Sequence, residues 1–227
     1  MAVINVRPHI VFDLIDQNSD EGHSALFRVP NKFTYTGSPT ALEKFCIYAL
    51  MQFTKPLKIF EFGTFMGTTT RMFHDNTSEK VHITTIDIGH VTEQVLERDS
   101  SKDAINLIRK VEKNGFHQIN GLDRITQIIS DSTLYDYSLL SDFDFIWIDG
   151  GHDLFVVKPD TENSFKIISR SNKNACIAWH DYGSATYPDL KIYVDELSKK
   201  TTIYHIEDTM IAFCLPNFSE KLQHSLF

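Results

Sequence analysis

Hydrophobic and polar positions change period repeatedly along the chain. From residue 57 onward, short β-rich runs at 57–62, 82–87, 124–130, 143–149 and 174–180 alternate with stretches of helical spacing. The helices are predicted just after Gly67, over about 101–113 up to Asn114-Gly115, over about 160–169, and over 187–199. Strands separated by helices in this way predict a parallel, doubly wound α/β sheet. Ahead of the first strand, Thr40 and Glu43 stand at capping-box spacing, and Leu42, Phe45, Cys46, Ala49, Leu50 and Phe53 follow at helical intervals. A helix packed on the sheet is expected there.

Both ends depart from the pattern. Residues 1–37 mix short apolar runs with Asn, Asp, Gly and Pro, and are read as an irregular N-terminal extension with one short element, leaving 38–227 as one domain. At the other end, the β-rich runs 201–206 and 209–215 are separated only by Glu207-Asp208. A parallel crossover needs about a dozen residues, so an antiparallel hairpin at the sheet edge is predicted.

Composition narrows the function classes. The chain has 227 residues, 42% of them apolar, enough for one substantial core. No apolar run approaches the roughly 18 residues of a membrane helix, and charge from Arg7 onward argues against a signal peptide, so a cytoplasmic protein without membrane contact is expected. Cys46, Cys176 and Cys214 lack metal-type spacing and are read as reduced and buried. A net charge of −8 without clustered Lys and Arg disfavours a nucleic-acid surface and favours a small-molecule substrate. Homo-oligomerisation is left open.

The chemistry gathers where the predicted strands end. Ile59-Phe60-Glu61-Phe62-Gly63-Thr64-Phe65-Met66-Gly67 runs from a strand through a glycine turn into a helix, where free N–H groups and absent side chains let a ligand approach. The Gly-x-x-x-Gly spacing differs from that of pyrophosphate-binding turns, which disfavours a nicotinamide-dependent oxidoreductase. The second run ends on Asp87, the third on Asp131-Ser132, the fourth on Asp149-Gly150-Gly151-His152 and the fifth on His180-Asp181-Tyr182. In an open α/β sheet these ends face one crevice.

The acidic-x-Gly-x-x-x-Gly segment resembles motif I of class I S-adenosylmethionine-dependent methyltransferases. A parallel sheet closed by an antiparallel C-terminal hairpin, the Rossmann-like variant of that family, is the fold the resemblance implies. By the same likeness Glu61, Gly63, Thr64 and Gly67 line the methionine end of the cofactor, Asp87 takes the ribose hydroxyls, Asp131 and Ser132 contact the adenine, and Asp149 borders the cofactor. Ile-Asp-Gly-x-His and His-Asp-Tyr are similar to a branch of metal-assisted small-molecule O-methyltransferases that includes sugar-modifying enzymes. This implies a divalent ion on Asp149, His180 and Asp181, with His152 as general base. His180 stands where many relatives have a carboxylate, and a mixed His and carboxylate site suits a transition metal at least as well as magnesium. The expected reaction is methyl transfer to a hydroxyl, of a sugar or another vicinal diol. The alternative is the same fold with non-catalytic acids or a different metal-dependent chemistry. The remaining histidines, among them His74, His82 and His205, are read as surface or core residues.

Overall fold

The computed structural model describes residues 2–16, 26–29, 37–98 and 102–218. Helix α2 (Ala41–Thr54) starts where the capping box predicts: Thr40 Oγ1 accepts the Glu43 N–H at 3.3 Å, and Glu43 Oε2 accepts the Thr40 N–H at 2.7 Å. It leads into strand β2 (Lys58–Phe62), followed by α3 (Thr68–Asp75), β3 (His82–Asp87), α4 (Glu93–Arg98), α5 (Lys102–Asn114), β4 (Ile125–Ile129), β5 (Phe145–Ile148), α6 (Leu154–Ile167), β6 (Cys176–Trp179), α7 (Pro188–Leu197), β7 (Tyr204–Ile206) and β8 (Ala212–Cys214). Two further elements precede α2, namely β1 (Ile4–Val6) and α1 (Pro8–Asp16).

The eight strands among the described residues form one sheet in the order β1-β7-β8-β6-β5-β2-β3-β4. Strands β4, β3, β2, β5 and β6 run parallel, and β8 lies antiparallel to both β6 and β7. The fold is therefore a Rossmann-like, mostly parallel sheet with an antiparallel C-terminal hairpin. The central strands bury both faces, and their side chains alternate between two apolar cores. Phe145 and Trp147 of β5 point into one core with Ile59, Cys46 and Phe73, while Ile146 and Ile148 enter the other with Phe60, Phe62, Val157 and Leu190. All three cysteines are buried thiols, and no described helix is long and apolar enough to cross a membrane.

Three details differ from the sequence reading. The N-terminal stretch contributes two elements, α1 packed on α2 and β1 paired parallel to β7 from Ile4↔Tyr204 to Val6↔Ile206. The hairpin thus has β1 outside it and is not the sheet edge; a three-residue strand is too short to show a period. Helix α6 begins at Leu154 rather than near 160, although it carries Pro159. A proline removes one helical N–H and disfavours a helix interior. Here Val156 and Val157 N–H groups both reach the Asp153 carbonyl at 2.9 Å, and Val157 is fully buried, which secures the first turn.

Candidate active site

The five parallel strands deliver their C-terminal ends to a cleft of about 640 Å³, whose walls include Gly63, Thr64, Asp87, Asp131, Ser132, Asp149, His152, His180 and Asp181. Its glycine turn is built by close backbone approach. Gly63 has φ +88°, and a Cβ there would stand 2.2 Å from the Asp149 carbonyl oxygen. Gly67, at φ +84°, packs against Ile119 and caps α3. Between them Phe65 holds φ 46°, a strained value for an aromatic residue, and its N–H is taken by Asp87 Oδ2 at 2.8 Å. Asp87 also accepts the Gly89 N–H at 3.2 Å, so this carboxylate orders the turn as well as facing the cleft.

Glu61 and Gly67 do not reach the cleft wall. Glu61 is fully buried behind the turn, where Thr70 and Thr85 donate their hydroxyls to its Oε2 while Oε1 has no partner. Burial pushes its carboxyl up to about 8, against the pull of the two hydroxyls and with repulsion from Asp149 and Asp87. Asp131 does line the cleft, and its Oδ1 also accepts the N–H and hydroxyl of Thr133 at 2.9 and 2.7 Å.

The ends of β5 and β6 hold the densest chemistry. Ligand atoms of Asp149, His152 and Asp181 all lie within 4.8 Å of one another. His152 Nε2 comes within 2.7 Å of Asp181 Oδ2, a charge-pairing distance that helps to keep Asp181 ionised. The His152 ring stacks on Tyr187 with centroids 4.0 Å apart, and Asp181 sits at φ 59°, a left-handed turn that swings its carboxylate over the end of β6.

His180 is placed differently, with a side chain only 4% exposed. Its Nδ1–H donates to Asp181 Oδ2 at 3.2 Å and lies 3.2 Å from Asp149 Oδ1, and its Nε2 is 3.5 Å from Glu43 Oε2. Burial disfavours charge on His180, but Asp149, Asp181 and Glu43 together hold its pKa well above the ordinary imidazole value. Burial likewise opposes ionisation of Glu43, yet His180 and the amides of Met210 and Thr40 hold this carboxyl down at about 2. Asp181 is also held below the usual carboxylate range, burial being outweighed by His152 and His180. The arrangement is an imidazolium braced between three carboxylates.

The sequence reading did not single out Glu43 or Tyr187 for this site. Glu43 carried a signal, but for a helix cap; the same side chain also accepts the Met210 N–H at 2.8 Å. It also missed Leu107, Ile108 and Val111 of α5, which bring an apolar wall to the cleft. His74 and His205 have partners but no site: His74 bridges Asp75 and Asp123, and His205 contacts Asn5 and the Thr209 carbonyl.

Comparison with known proteins agrees with this geometry. A family described as "Methyltransferase domain" matches residues 60–182, from the glycine turn to the end of the β6 loop. No curated protein matches significantly. Among solved structures, a Staphylococcus aureus protein assigned as a caffeoyl-CoA O-methyltransferase superposes with a TM-score of 0.57 at 15% identity, covering 93% of this chain and 92% of that one. The S-adenosylhomocysteine-bound methyltransferase PaMTH1 of Podospora anserina gives 0.53 at 15% identity over 90% and 86% of the two chains. CalS11, a TDP-rhamnose 3'-O-methyltransferase of calicheamicin biosynthesis, gives 0.51 at 12% identity over 76% and 78%. At such identities the likeness establishes the fold. The family match spans more than half of the chain, and with it the chain belongs to the methyltransferase-domain family, as a class I S-adenosylmethionine-dependent methyltransferase.

Proposed function

We propose that the protein transfers the methyl group of S-adenosylmethionine to a hydroxyl of a small molecule bearing adjacent oxygens, such as a sugar or another vicinal diol, with help from a divalent ion. The observation that carries this reading is the convergence of Asp149, His152 and Asp181 within 4.8 Å at the cleft that also contains the glycine turn. The donor set fits a cation: two carboxylates and an imidazole nitrogen that can offer its lone pair, all within 4.8 Å of one another. A hydroxyl is a poor nucleophile at neutral pH, and a divalent ion bound there would polarise it and lower its pKa. His180 then serves as the buried cation that keeps Asp149 and Asp181 oriented, in place of the ligand role expected from sequence. Glu43 fixes His180 from behind. Phe155 and Tyr187 offer the acceptor an apolar wall beside the two acids, and positioning of acceptor oxygen and methyl carbon supplies much of the remaining rate.

A second reading keeps His152 as general base, oriented by Asp181 at 2.7 Å, with no ion required. An imidazole titrates near neutral pH and can take a hydroxyl proton. One experiment separates the two. Manganese binding followed by electron paramagnetic resonance should be lost in His152→Ala and in Asp181→Asn if His152 is a ligand, and retained in His152→Ala if it is a base. Both readings expect turnover of a diol acceptor to fall by roughly a hundredfold or more in His152→Ala, with S-adenosylhomocysteine affinity kept. Full activity after exhaustive chelation would overturn the metal reading, and near-normal turnover of the variant would overturn both.

A further inference from the structure

Asp160 presents a problem that the reaction chemistry above does not solve. It lies on α6, is fully buried, and neither carboxyl oxygen has a hydrogen-bond partner among the described residues. A buried carboxyl with both oxygens unpaired is costly, and native structures rarely keep one without a use. Its position suggests the use. Asp160 is among the residues lining the cleft, and its Oδ2 stands 3.5 Å from where a Cβ on Gly150 would be. The turn that follows β4 folds back so that Tyr137 packs on Phe60 and Phe62, which carries Asp131 and Ser132 to the same spot. The carboxyl thus sits between the end of β5 and the Asp131-Ser132 turn, with no ligand role among Asp149, His152 and Asp181.

We infer that Asp160 reads the adenine of the cofactor, pairing with the edge that carries the exocyclic amino group and the adjacent ring nitrogen, and so selects adenine over a purine that lacks the amino group. The inference rests on the reading that this cleft holds S-adenosylmethionine. A neutral carboxyl offers one O–H donor and one carbonyl acceptor side by side, the complement of an adenine edge, in the way that Asn and Gln pair with adenine. A carboxylate has no donor and cannot make both bonds. Burial pushes the Asp160 carboxyl up to about 8, with Ser132 drawing it down and the charge of Asp131 raising it, so the donor form prevails at neutral pH. The titratable groups facing it are Asp131, from the turn after β4, and the Tyr137 hydroxyl, which is itself pushed well above the ordinary phenol value by burial and by Asp160. Gly150 leaves the approach to the carboxyl free of a side chain.

The test is calorimetry of the full chain with S-adenosylhomocysteine and with its 6-deamino analogue, whose purine carries hydrogen in place of the amino group. The unmodified protein should prefer the adenosyl compound by roughly tenfold to a hundredfold, since the analogue leaves the buried carbonyl acceptor unpaired. Asp160→Asn keeps one donor and one acceptor and should keep the preference, whereas Asp160→Leu should bind the two compounds within about threefold of each other. S-adenosylhomocysteine affinity of the unmodified protein should fall as pH rises through about 8, and that of Asp160→Asn should not. Equal affinity of the unmodified protein for both compounds, or an Asp160→Leu protein with unchanged affinity and preference, would overturn the inference and leave the cofactor reading standing. If Asp160→Leu does not fold, the two-compound comparison and the pH dependence of the unmodified and Asn proteins decide. No binding of S-adenosylhomocysteine by the unmodified protein would overturn the cofactor reading itself, and this inference with it.

Discussion

At the scale of single residues, the site shows how one residue type can serve opposite ends depending on what surrounds it. Glu43 and Glu61 are both buried glutamates, yet Glu43 is held at about 2 by His180 and two amides while Glu61 is pushed up to about 8 with only hydroxyls beside it. For Glu61 the folded pKa lies above the unfolded one, so the unfolded chain releases this proton first and stability falls as pH rises from about 4.5 towards 8. Chemical denaturation should show a loss of roughly 2 kcal/mol or more over that window, since each tenfold change in a proton-binding equilibrium corresponds to about 1.4 kcal/mol. Glu61→Gln, whose amide oxygen still accepts from Thr70 and Thr85, should flatten the dependence. An unchanged slope in that variant would show that the loss arises elsewhere. Both glutamates are plain in the sequence, but neither environment is, because the groups that set each pKa come from distant parts of the chain.

Among the elements, α2 joins the sheet to the site. Its N-terminus is legible in sequence because a capping box is local, and the structure reproduces the expected bonds. The Thr40 cap alone is worth about 1 kcal/mol, and Thr40→Ala should destabilise by that order. Glu43→Gln should cost more, about 3 kcal/mol, because it leaves the buried charge of His180 without one partner. Urea unfolding at pH 7 distinguishes the two, and equal losses would reduce Glu43 to a cap. Since the folded pKa of Glu43 is depressed, its contribution is fully present above about 4.5 and disappears as pH falls towards 2. Helix α6 teaches the converse lesson: Pro159 marks a local boundary in the sequence, and burial of Val157 overrides it. The same helix places Asp160, which therefore could not be recognised as a cleft residue from a pattern read as starting there.

For the whole molecule, the strand order separates stability from chemistry. β1 closes the sheet beyond the hairpin, with β7, β8 and β6 between it and the site strand β5. Val6 is nearly buried, so a chain lacking residues 1–7 loses its packing, worth about 2 kcal/mol, as well as a strand ladder. It also exposes the edge of β7, a template for association. Thermal unfolding should show a lower Tm and size-exclusion chromatography a tendency to oligomerise, while S-adenosylhomocysteine affinity is kept; a truncated protein with unchanged Tm would make β1 dispensable. What the sequence by itself determined was the succession of strands and helices, the hairpin, and the polar residues at each strand end, because period, turn chemistry and strand termini are written in neighbouring residues. The shared crevice follows from them, since parallel strands present the same end. Only the tertiary structure decided the division of labour among those residues. His152, rather than His180, stands with the two acids at ligand spacing, His180 is charged because Asp149, Asp181 and Glu43 surround it, and Asp160 is left unpaired at the cleft floor. These outcomes depend on contacts such as that between Glu43 and Met210, 167 residues apart, and on burial. Both are properties of packing that no local pattern encodes.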